Sequence, residues 1–146
     1  GLVINHPSKI KLHEIIDDVP NSDFPVYIGG PVSKNSIHFI HSLGRLIPNS
    51  IKIYNGLYFG GDFDVVKDLL WKGKINKENM RFFAGYSGWE ANQLEDELKE
   101  NSWILKEKNL KLSMQYSNKD YWSEIIRKMD KKYAIWANFP KNPSLN

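Results

Sequence analysis

Cysteine is absent from the 146 residues, which excludes disulfide frameworks, thiolate metal sites and cysteine nucleophiles together. A chain without thiols suits a reducing compartment, and the cytoplasm is the expected location. Long hydrophobic runs are missing as well. Apolar stretches last only a few residues, so neither a membrane span nor a membrane partner is expected. No charged leader, apolar core and small-residue cleavage site open the chain, so no secretory signal is read. Internal repeats and low-complexity tracts are lacking. Neither a Walker phosphate loop nor a complete Gly-x-Gly-x-x-Gly occurs. No cofactor and no metal are expected.

What remains is the make-up of a globular domain: 41% hydrophobic, 25% charged and 13% aromatic residues. A single domain over residues 1–146 can bury roughly 68 to 70% of its unfolded surface. The net charge of +3 is unevenly placed. Residues 1–73 carry seven charges of each sign, whereas residues 106–141 carry nine basic and four acidic side chains. Arg127, Lys128, Lys131 and Lys132 concentrate that excess and are the candidate nucleic-acid contact, although dedicated nucleic-acid domains show a more strongly basic face. A solvated surface is the preferred reading, and DNA binding is not favoured.

Apolar spacing gives a coarse map. The chain opens on an apolar strand, Gly1 to Ile4. Leu12, Ile15, Ile16 and Val19 at helical spacing predict a short helix over Ser8 to Asp18, with Ser8 as cap. Val26 to Ile28 and Ile37 to Ile40 predict strands. Ser50 to Ile53 and Leu57 to Phe59 flank Asn55-Gly56, a strong hairpin signal. Asp62 or Asp64 then caps a helix that buries Val65, Val66, Leu69 and Leu70 and ends at Gly73. Met80 to Ala84 predicts a buried strand. Glu90 to Lys99 follows as a helix with Ala91, Leu94 and Leu98 inward and a Glu95–Lys99 surface pair. Trp103 to Leu105 and Tyr133 to Trp136 read as short strands and Lys119 to Met129 as a last helix. Strands joined by both hairpins and helices favour a mixed sheet covered by helices, in the α/β or α+β class.

The run Phe82-Phe83-Ala84-Gly85-Tyr86-Ser87-Gly88-Trp89, followed by Gln93-Leu94-Glu95 and a later Trp103, resembles the hallmark of the AlgH/YqgE family. Asn5-His6-Pro7 after Gly1 to Ile4, Gly29-Gly30-Pro31-Val32 and the strand ending at His41 match three further segments of that family, so the resemblance covers essentially the whole chain. It implies a compact mixed sheet with strong, barrel-like curvature, surrounded by helices. Members are commonly labelled transcriptional regulators, and no general activity follows from the motif. The resemblance implies that family members begin a few dozen residues earlier, and without such a segment a sheet edge or apolar groove is expected to stay uncovered unless a partner or a second copy fills it.

Candidate chemistry is sparse. Ser87 sits at a strand-to-helix turn, but Trp89 stands where a nucleophile elbow needs glycine, and a hydrolase further requires a histidine and an acid converging on the hydroxyl. Phosphate binding at the same turn is opposed by Glu90, Glu95, Asp96 and Glu97 around the helix opening. Trp89, Gln93 and Glu97 share one helix stripe, which either hydrogen-bonds a ligand or ties the helix to the turn and to the Asn5 loop; the tie is preferred. Asp62 and Asp64 read as a cap rather than as a metal or acid–base pair. His38 and His41, three apart on a strand, fall on opposite faces. The candidate ligand or partner site is therefore Asn5, Pro7, Gly29, Gly30, Pro31, Tyr86, Ser87, Gly88, Trp89, Gln93 and Glu97. The expected role is partner binding in regulation, with a small-molecule site or enzyme around Gly85 to Trp89 as the alternative. The partner is an unidentified protein, a small molecule or a second copy of the chain.

Overall fold

The computed structural model describes residues 1–107, 109–115 and 121–129. Six strands form one mixed sheet: β1 (Pro7–Lys11), β2 (Pro25–Ile28), β3 (Val32–His41), β4 (Ile51–Tyr54), β5 (Leu57–Phe59) and β6 (Met80–Tyr86), in the order β1-β2-β6-β3-β5-β4. Only β2 and β6 run parallel. β1 and β4 are edges among the described residues, so the sheet is open and does not close into the expected barrel-like form. Helices α1 (Phe63–Trp71), α2 (Gln93–Lys99), α3 (Leu110–Met114) and α4 (Tyr121–Arg127) flank it. No helix among the described residues is long and apolar enough to cross a membrane.

β6 organises both faces. Its residues Met80 to Gly85 are all buried, as a central strand requires. Alternation sends Phe82 to one face with Val26, Phe39 and Leu12, under Val66 and Leu70 of α1. Phe83 goes to the other with Tyr27, Ile40 and Leu57, under Met114 of α3 and Leu2 and Ile4 of the first loop. Asp62 is the cap of α1, its carboxylate accepting from the Asp64 and Val65 amides. The Asn55-Gly56 hairpin forms, with Gly56 at φ +81°.

Several expected elements differ. Pro7 to Lys11 is a strand rather than a helix, because the outer edge of β2 must find backbone partners; Pro7 pairs Tyr27, Lys11 pairs Pro25, and Ser8 Oγ donates to the Val26 carbonyl instead of capping. The helical spacing survives only as one 3-10 turn at Leu12–Glu14, which seats Leu12 in the core and leaves Ile15 exposed. Gly1 to Ile4 is irregular, bonded to Gly29 through the Val3 amide. Helix α2 starts three residues late because Asn92 adopts a left-handed φ of +67°, and Ala91 is exposed. Lys99 pairs with Asp96 rather than Glu95. Trp103 to Leu105 is exposed, unpaired coil. Helix α3, unexpected from the sequence, is capped by Asn109, whose side chain accepts from the Leu112 amide. The strand expected at Tyr133 to Trp136 lies outside the described residues.

Candidate functional site

Backbone approach, rather than turn flexibility, explains the glycines of the two family-like motifs. A Cβ on Gly29 would stand 2.3 Å from the Gly85 carbonyl oxygen, and one on Gly30 2.1 Å from the Tyr86 carbonyl carbon. Gly85 itself has φ +69° and faces the Val32 and Gly30 carbonyls. The Gly29-Gly30-Pro31 and Gly85-to-Trp89 segments therefore meet main chain to main chain. Gly1 joins them, its carbonyl accepting from the Ser87 amide at 2.9 Å and its own nitrogen donating to the Ser87 carbonyl at 2.7 Å. Gly29 and Gly30 are buried, Asn5 is half-buried, and Pro7, Pro31 and Gly88 are exposed on the rim.

Beyond the turn, Glu97 is the centre of a compact knot. One carboxylate oxygen accepts from Trp103 Nε1 at 2.7 Å and from Trp89 Nε1 at 3.2 Å, the other from Gln93 Nε2 at 2.9 Å. Gln93 Oε1 accepts from the Glu90 amide, so the helix is tied to the turn. Neither Gln93 nor Glu97 bonds Asn5 among the described residues. The two indoles meet edge to face at 5.8 Å. The hydrogen bond from Trp103, then that from Gln93, holds the Glu97 carboxyl below its ordinary value of 4.5. Both carboxylate oxygens are thus occupied internally, which makes this stripe a brace.

Three of the four histidines make their hydrogen bonds away from Ser87. His13 Nδ1 bonds the Ser22 carbonyl, His38 Nε2 bonds Ser36, and His41 Nε2 bonds Ser50 and the Gly60 carbonyl. No group of three or more metal-binding side chains gathers among the described residues. Arg127 ends α4 and Lys128 follows it, both exposed; Lys131 and Lys132 lie outside the described residues.

Arg81, His41 and Ser123 are buried polar side chains that the sequence reading did not place in the core. Arg81 on β6 is fully buried, donating to the Ile4 and Ser113 carbonyls and lying 4.3 Å above the Tyr27 ring. His41 is fully buried and stacked on Tyr58. A charged residue inside Met-Arg-Phe-Phe-Ala was the available signal for the first. The brace also holds an apolar coil at the surface. Trp103, Ile104 and Leu105 are exposed, Leu105 by 73%, and Trp103 and Ile104 line a groove of about 560 Å³ with Trp122, Ile125 and Met129 of the α4 segment.

Comparison with known proteins agrees with the motifs. A family model described as DUF179, AlgH-like, matches residues 1–134. A UPF0301 protein of Bacteroides fragilis is 41% identical over 147 residues, covering all of this chain and 74% of the relative. One from Chlorobium limicola is 38% identical over 146 residues, covering all of this chain and 78% of its own length. The solution structure of the AlgH protein from Pseudomonas aeruginosa superposes with a TM-score of 0.73 at 24% identity, over 97% of this chain and 78% of that one. A crystal structure of a Corynebacterium diphtheriae protein gives 0.70 at 20% identity, over 95% and 75%. At those identities the two structures establish the shared fold, and the model match with the sequence relatives establishes membership: the chain belongs to the AlgH-like, UPF0301 family of bacterial proteins.

Proposed function

We propose that the chain acts in the cytoplasm by binding a protein partner, and that any part it plays in transcriptional regulation runs through that partner. The observation that carries this reading is the exposed apolar lining of the groove against α4, Trp103, Ile104 and Trp122. Contiguous exposed apolar surface of this kind marks interaction sites, and a groove walled by a helix suits the apolar stripe of a partner's amphipathic helix. Lys106 lines it, Arg127 and Lys128 are exposed on the same α4 segment, and these cations favour a partner with an acidic flank. The Glu97 knot supports the same reading, since it commits the motif's polar groups to holding Trp103 in place.

Capture of binding proteins from cytosol tests it. The intact chain retains a partner that Ile104→Glu and Trp122→Glu both release, while circular dichroism shows both variants folded. Equal retention by wild type and both variants would overturn the reading.

A further inference from the structure

The polar knot at Glu97 runs in one direction. Trp103 Nε1 at 2.7 Å and Trp89 Nε1 at 3.2 Å donate to one carboxylate oxygen, and Gln93 Nε2 donates to the other at 2.9 Å. Gln93 Oε1 accepts from the Glu90 amide at 3.0 Å, which commits the Gln93 amide group to a single orientation. Donors therefore meet both ends of the side chain at position 97, and the group that only accepts at both ends is a carboxylate. Its charge is taken up by N–H donors rather than by a cation, since the nearby Lys99 is paired with Asp96 at 2.7 Å. The shortest of the three bonds holds Trp103, a wall of the groove against α4.

Trp103 is 46% exposed, so part of its surface is open to solvent while its N–H is held. An indole left loose samples several rotamers and loses them on binding, whereas one fixed in advance offers its surface without that cost. Trp89 adds a second restraint, meeting the Trp103 ring edge to face at 5.8 Å. On the reading of the groove as a partner site, we infer that Glu97 is its positioning residue: the carboxylate holds the Trp103 wall in place before a partner arrives, so the family-like motif sets how tightly the groove binds.

Exchanging the two side chains provides the test. In Glu97→Gln every orientation of the new amide sets N–H against N–H, at Gln93, at Glu90 or at the indoles. Adding Gln93→Glu restores each bond: the carboxylate at 93 accepts from the Glu90 amide and from the amide at 97, whose oxygen accepts from both indoles. The full chain, labelled at its indole nitrogens, is titrated with an amphipathic helical peptide of leucine, alanine, glutamine and glutamate. The Trp103 indole proton moves upfield in Glu97→Gln and returns in the double variant. Peptide affinity falls roughly 3- to 10-fold in Glu97→Gln, the cost of ordering one large side chain, and recovers in the double variant. An unmoved indole signal, equal affinity in wild type and Glu97→Gln, or no recovery in the double variant would each overturn this role for Glu97. Ile104→Glu keeps the two outcomes apart. It abolishes peptide binding where the groove is the partner site; binding that survives it, or no binding by wild type, overturns the partner reading and this role with it. The indole signal needs neither peptide nor second variant.

Discussion

At the scale of single residues, His41 is a polar side chain at a strand end whose role in the fold is structural. The Leu43 amide donates to its Nδ1 at 3.3 Å, so Nε2 carries the proton toward Ser50 Oγ and the Gly60 carbonyl. Every contact is made by the neutral ring. Burial pushes its pKa below the ordinary 6.5, opposed by the Gly60 hydrogen bond. The folded state therefore binds the proton less readily than the unfolded chain. His41's contribution to stability is complete above about pH 6.5 and declines as the pH falls through and below that value. Urea denaturation between pH 8 and 5 checks this: the wild-type midpoint falls over the acid half of the range. His41→Gln starts lower at pH 8 and runs flatter. A slope unchanged in the variant would assign the acid loss elsewhere. Glu97 obeys the opposite charge rule, because its hydrogen bonds favour the carboxylate, so its brace loosens only on acidification below 4.5.

Elements are joined in this molecule by glycines of two kinds, and substitutions separate them. Gly85 has φ +69° and no room, since a Cβ would lie 2.7 Å from the Val32 oxygen and 2.8 Å from that of Gly30. Gly73 has φ +64° with nothing within 4 Å, ending α1 in open space. Gly73→Ala therefore costs about 1 kcal/mol, the penalty of the left-handed conformation alone. Gly85→Ala costs more than about 2 kcal/mol, because backbone must also move. Denaturant midpoints of the two variants give the comparison, and equal losses would show that the Gly30-to-Val32 segment is not close-packed on Gly85. Both residues are glycines beside element ends in the sequence. Only their surroundings tell them apart, and those of Gly85 are supplied by Val32 and Gly30, far away along the chain.

Over the whole molecule, Arg81 links parts that no secondary element connects. Its guanidinium binds the Ile4 carbonyl of the first loop and the Ser113 carbonyl of α3, across the face that holds Tyr27 and Phe83. Arg81→Met fills similar volume but strands both carbonyls, and a loss of about 2 to 4 kcal/mol is expected. Limited proteolysis adds a regional readout: cleavage in residues 1–6 and near α3 accelerates together in the variant. Acceleration at one site alone would show that Arg81 does not couple them.

Local chemistry made much of this architecture legible. The hairpin at Asn55-Gly56, the Asp62 cap, the helix through Val66 and Leu70 and the buried strand at Met80 each depend on neighbours within a turn or a pleat, and the sequence alone was enough for them. The quoted motifs likewise sufficed for the family. Contacts between distant residues were beyond its reach. The helical spacing of Leu12, Ile15, Ile16 and Val19 predicts a helix over Ser8 to Asp18, yet Pro7 to Lys11 is a strand because the edge of β2 needs backbone partners. Gln93 and Glu97 were placed on one stripe, but their commitment to Trp89 and Trp103 depended on how the coil after α2 folds back. Such contacts exist only once tertiary packing brings their partners together, since backbone pairing and burial are satisfied globally while propensity acts over a few residues.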